Sequence, residues 1–335
     1  NLATPNRSIN PSDGSLGYDE TTQLVYYGKD QLWFPISTGG GGNTPVPPSS
    51  SKIIYVTKYG NDTSGDGSSV APFLTVSKAI TLVNTLSSSM NPIAIEIHPG
   101  IYVENNSAGP LTVTADGVSI IGNSNLAVFI MPTNPSNTLL LITKTVRMSD
   151  ITLQTQIPLA AGLSLSIGNT SRFSDLRILN FLTGVSCIGG SLNTLYSFTK
   201  CTFALNITAI DIDNTTAEFN LCQIFGKTNQ ALSPGNTGIT ITGSGSNIVM
   251  VGGLFALCEN AVVISNNSRC LINTSVFRKN GFCISQNSSS LLTLNACDFQ
   301  TAGGPLYNII QISGAGTTAE LTGCSFEGKD DVGIP

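Results

Sequence analysis

A single phrase, repeated along the C-terminal two thirds of the chain, limits what this sequence can fold into. The segment Leu291–Phe299, LLTLNACDF, is answered by Ala319–Phe326, AELTGCSF. With the final phenylalanines aligned, both read apolar-x-apolar-x-x-Cys-x-Phe. Six earlier copies end at Leu153, Ile178, Phe203, Ile224, Phe255 and Phe277. Successive endpoints are 25, 25, 21, 31, 22, 22 and 27 residues apart. Most copies follow a short alternating segment, such as Ile210-x-Ile212, Ile239-x-Ile241, Val262-x-Ile264 or Ile310-x-Ile312. Each unit therefore holds at least three brief strands of period two, joined by bends or polar loops.

Units of this length exclude a propeller blade, and the helix or Leu/Asn consensus of a leucine-rich repeat is missing. What remains is a solenoid whose windings lie about 4.8 Å apart, with equivalent inward side chains stacked on one another. The expected fold is all-β: a single-stranded parallel β-helix of about ten coils, counting windings near residues 93 to 130. Composition agrees. Only 10% of the 335 residues are charged, and Gly, Asn, Ser and Thr supply turns instead.

Several function classes are excluded by the same numbers. A net charge of −5 offers no basic stripe for a nucleic-acid backbone. No apolar run approaches the roughly 18 residues of a membrane span. One histidine and eight cysteines without a Cys-x-x-Cys pair support neither a metal site nor a cofactor site. Cys201, Cys222, Cys297 and Cys324 share one position of the phrase and are expected inward as core filler. Cys283, between Phe282 and Ile284, is expected outward and reactive.

Upstream, IIYVTKYGNDTSGDGSSVAPFLTVSKAITLV (residues 53–83) precedes IAIEIHPGIYVE (residues 93–104). Within it Pro72-Phe73, a helix around Val76 to Leu86 and Pro99-Gly100-Ile101-Tyr102 stand out. Ala79, Ile80, Val83 and Leu86 are expected on the buried helical face, with Thr75 as N-cap. This run resembles the start of right-handed β-helices of the pectin-lyase-like family, and the resemblance extends over about residues 52 to 328. It implies that the helix covers the first coil.

The division expected is a β-hairpin docking element (residues 1–37), a Gly/Pro/Ser linker (residues 38–51) and the β-helix domain (residues 52–335). The N-terminal piece, GSLGYDETTQLVYYGKDQLWFPIST, resembles short elements beside fibre, spike and capsid-associated domains of viruses. That resemblance implies a virion-surface location, other virion proteins as partners and a homotrimer. The alternative location is secreted.

Catalytic motifs of the family, including Asn-Thr-Asp, Gly-His-Gly and Arg-Ile-Lys, do not occur. The candidates for catalysis are Asp211 and Asp213 in AIDIDN, placed outward together because Ile210 and Ile212 point in. Glu218 and Asp298 are expected outward on other strands. His98 is expected at the surface, and Asp62 and Asp66 are read as parts of a structural turn. On these grounds the expectation is a non-enzymatic virion surface, spike or fibre subunit contributing to host attachment. Its rivals are a tailspike-like polysaccharide lyase or hydrolase and a secreted glycan-binding adhesin, either of which would engage a surface glycan.

Overall fold

The computed structural model describes residues 52–166, 170–188, 194–226, 236–300 and 308–327, together with three N-terminal strands. The chain divides into two compact units, residues 1–50 and 51–335. In the first, strands Leu16–Asp19, Leu24–Lys29 and Leu32–Ile36 form an antiparallel meander. Asp30 and the linker expected over residues 38–51 lie outside the described residues.

The second unit is a parallel β-helix with three long sheets. Among the described residues, the first sheet has eleven strands, from Lys52–Val56 to Thr318–Thr322. The second has ten, from Gly100–Glu104 to Ser325–Glu327, and the third nine, from Leu111–Val113 to Asn308–Ser313. Every pairing between windings is parallel and in register. Phe198 lies between Phe173 and Phe219 on the first sheet, and Phe277 lies between Phe255 and Phe299 on the second. The rings follow the backbone. Phe255, Phe277 and Phe299 stack at 4.7 Å with planes within 9° of parallel.

The repeated phrase is the corner between the first and second sheets. Its two unspecified central positions contain the residue that turns the chain, in the left-handed region. Asp150, Asp175, Lys200, Leu221, Thr274 and Ala296 have φ between 47° and 60°, while Gly252 and Gly323 fill the same place at 66° and 63°. The next residue, including Cys201, Cys222 and Cys297, then enters the core. Each of these thiols lies 3.4–3.7 Å from a carbonyl oxygen of the preceding winding.

The helix α1 (Val76–Leu86) is capped as expected: the Thr75 side chain accepts from Lys78 N at 3.2 Å. It touches the opening strands of all three sheets, occupying the winding where the second and third sheets have not yet begun. Its buried residues are Val76, Ala79, Ile80 and Val83. Leu86 is 40% exposed, contrary to expectation, and is the last residue of the helix. Two carboxylates reach its N-terminus from outside. Asp62 accepts from Leu74 N, Thr75 N and Thr75 Oγ1, and the buried Glu104 accepts from Val76 N at 2.8 Å and Ser77 N at 3.0 Å. Asp66 accepts from Ser68 N. The Gly-rich loop is thus a helix-entry structure.

Two further expectations need correction. Cys283 is 3% exposed, and burial pushes its thiol up to about 12. Third-sheet strands bend at their second residue: Phe282 pairs with Asn308 and Ile284 with Ile310, but the residue between is skipped. The bend turns Cys283 inward and breaks the alternation on which its outward placement rested. Phe203 and Phe299 are fully buried, whereas Phe326 is 48% exposed. Phe326 stacks on Phe299 at 5.0 Å, so it continues the inner ladder. Its exposure comes from lying in the last described winding.

Candidate functional site

The third sheet brings Asp211 and Asp213 to its outer face on strand Thr208–Asp213, with Ile210 and Ile212 buried behind them. Two residue steps of about 3.3 Å put their α-carbons roughly 6.6 Å apart. Ser186 and Thr240 flank Asp211 on the neighbouring windings, and Ile188 and Thr242 flank Asp213. Asn214 Nδ2 donates to Asp213 Oδ1 at 3.0 Å. Gly243, at φ 83°, is required beside it, since a β-carbon there would come within 2.3 Å of the same oxygen. Burial, and then the charge of Asp213, hold the Asp211 carboxyl above the usual carboxylate range. The pair therefore presents one carboxyl with a raised affinity for its proton and a second that accepts a hydrogen bond from the Asn214 amide.

The other sequence candidates do not join them. Glu218 lies on the first sheet, in register with Ser197 and Val249. Asp298 lies on the second, where Gln300 Nε2 and Ser325 Oγ donate to it at 2.6 and 2.8 Å. His98 is half-buried at a strand end, 3.4 Å from Glu96 and edge-on to Tyr55. Among the described residues no group of three His, Cys, Asp or Glu side chains could hold a metal ion.

A second feature escaped sequence reasoning. On the outer face of the first sheet, Arg147 and Arg172 pair in register and line a groove of about 470 Å³. Superposing two copies of the phrase would have found them, because VRMSD and SRFSD share Arg-x-Ser-Asp.

No protein-family model matches the sequence, and no curated protein matches it. Solved structures do. The ORF18 protein of Geobacillus virus E2 superposes with a TM-score of 0.56 at 16% identity, over 96% of this chain and 72% of that one. A structure titled glycoside hydrolase gives 0.51 at 8% identity, over 82% and 97%. The enzymatically active domain of bacteriophage CBA120 tailspike protein 4 gives 0.51 at 12% identity, over 95% of this chain and 52% of that one.

These likenesses overturn the expectation of a non-enzymatic chain. That expectation rested on missing pectinolytic motifs, yet two of these structures bear enzymatic titles. Activity in such a solenoid depends on side chains displayed by a face, so one motif set does not exhaust it. No described helix is long and apolar enough to cross a membrane. The chain folds as a pectin-lyase-like right-handed parallel β-helix, an architecture shared with viral tailspike and structural proteins.

Proposed function

We propose that this chain is the β-helical body of a tailspike-like protein that hydrolyses a polysaccharide at Asp211 and Asp213. The observation that carries this reading is the pair itself: two outward carboxylates on one strand, with Asp211 held toward its protonated form. Inverting glycosidases hold their acid and base carboxyl groups roughly 6.5–9.5 Å apart, which leaves room for a water molecule, and outward carboxylates two residues apart on one strand are neighbours on that scale. Asp213 takes a proton from that water as its oxygen attacks the anomeric carbon. The glycosidic C–O bond breaks, and Asp211 donates its proton to the departing oxygen. The N-terminal meander then serves as the docking element, attaching a homotrimer to the virion surface.

The test is reducing-end release from a panel of capsular, pectic and algal polysaccharides. Wild-type protein is expected to cleave at least one. Asp211→Asn and Asp213→Asn should each lower the rate by about a hundredfold or more while circular dichroism stays unchanged. Full activity in either variant would remove the assignment. A truncation lacking residues 1–50 should keep cleavage and lose incorporation into particles; unchanged incorporation would remove the docking role.

A further inference from the structure

The outer face of the first sheet carries a cationic doublet with no ion-pair partner among the described residues. Arg147 and Arg172 sit directly opposite one another on adjacent windings, with strands about 4.8 Å apart. Like charges facing each other across a sheet are destabilising. An acidic residue in the same row would relieve this, but the row continues as Ser119 on one side and Ser197 on the other. The nearest carboxylate in the row, Glu218, comes a full winding later. Among the described residues neither guanidinium has an ion-pair or hydrogen-bond partner; the nearby Lys144 faces Asp116 at 3.8 Å. In a chain of net charge −5, two adjacent unpaired arginines over an open groove form a local reversal of sign.

We propose that Arg147 and Arg172 form a non-catalytic site for an oxyanion substituent, a carboxylate or a sulfate, carried on a polysaccharide. Each guanidinium offers a planar fork that matches such a group with two parallel hydrogen bonds. Forks one winding apart hold a single anion between them or two anions on successive units. Ser149, Ser174 and Ser197 add hydroxyls along the groove, and the 40% exposed Ile121 gives an apolar patch for a sugar face. This site lies on the first sheet and the aspartates on the third, so retention and cleavage are separate tasks. That the anion is borne by a glycan rests on the reading above; the anion site itself does not.

Affinity electrophoresis of the full chain tests this, with polygalacturonate and dextran sulfate set against carboxyl-reduced polygalacturonate and unsulfated dextran. At least one acidic polymer should retard the protein while its neutral counterpart does not, and the polymer that acts identifies carboxylate or sulfate. Arg147→Gln/Arg172→Gln should weaken retardation by roughly tenfold. Arg278→Gln/Lys279→Gln, the same charge change at the second sheet, should leave it unchanged. Asp211→Asn/Asp213→Asn should also bind normally, so loss of cleavage and loss of retention are distinguishable. Equal retardation by acidic and neutral polymers, none by either acidic polymer, or equal loss in both arginine-containing double variants would overturn the proposal.

Discussion

Glu104 offers the sharpest test of how the solenoid is closed at its first winding. Its carboxylate is buried, and its two oxygens accept from Val76 N and Ser77 N in the first turn of α1. Replacing it with alanine removes both acceptors, each hydrogen bond to a charged group being worth about 1.5–3 kcal/mol. Burial of the charge offsets most of that, so Glu104→Ala should cost about 1–2 kcal/mol, the worth of one or two hydrogen bonds to an uncharged acceptor. Glu104→Gln keeps one acceptor oxygen and turns an amide donor toward the other N–H, so about half the loss is expected.

The pH dependence has a definite sign. Burial raises the Glu104 carboxyl above its ordinary value of 4.5, outweighing the two N–H donors that lower it. A carboxyl raised on folding is most stabilising below its unfolded value. That contribution is lost as pH climbs through the folded one. The advantage of wild type over Glu104→Gln should therefore shrink as pH rises above 4.5. Urea unfolding at several pH values gives the energies, and native-state hydrogen exchange at Val76 and Ser77 reports whether the helix end has loosened. A Glu104→Ala protein within 0.5 kcal/mol of wild type, with those amides still protected, would refute the reasoning.

Other parts of the molecule are open to simpler tests. Phe277→Ala, which empties the middle of a three-ring stack, should cost about 3–5 kcal/mol in chemical unfolding, and a loss below 1 kcal/mol would contradict the packing. Thr274→Gly should stabilise by about 1 kcal/mol, because Thr274 is exposed, β-branched and at φ 47° where other windings use glycine; destabilisation would count against the corner assignment. In Asp213→Asn, the Asp211 carboxyl should titrate at lower pH by carbon NMR, since a charge that raises it is gone. A disulfide reagent should label Cys324 well before the buried Cys283 in native protein, and the reverse order would show the third-sheet bend to be wrong.

Much of this architecture is legible in the sequence because one pattern serves two purposes. Inward residues must match those above and below, so Phe203, Phe255 and Phe299 recur in step, and the intervening pair marks the corner. Cys283 was misplaced because strict alternation assumes a straight strand, and the bend at the start of third-sheet strands is marked only by a small second residue, Gly162, Gly184, Ala209, Gly238 and Ala261 in other windings. Leu86 was misplaced because helical periodicity does not say where the covered surface ends. The aspartate pair could be read from AIDIDN, since Ile210 and Ile212 fix which way its acids face. Arg147 and Arg172 were overlooked for the opposite reason: outward positions vary freely from copy to copy, and their alignment gains meaning only when both are known to be neighbours.

The spacing between copies is longest, at 31 residues, from Ile224 to Phe255, the winding that sets Thr240 beside Asp211. The tiles of the inner tube, Ile239, Ile241, Ile248 and Met250 among them, must keep their shape, but the length of chain between tiles is under no such constraint. Insertions and deletions there would recut the rim of the aspartate face while every stacked ring stays put. A lineage built this way would change what it grips by editing one stretch of chain, and its relatives should differ most in length where they differ in target.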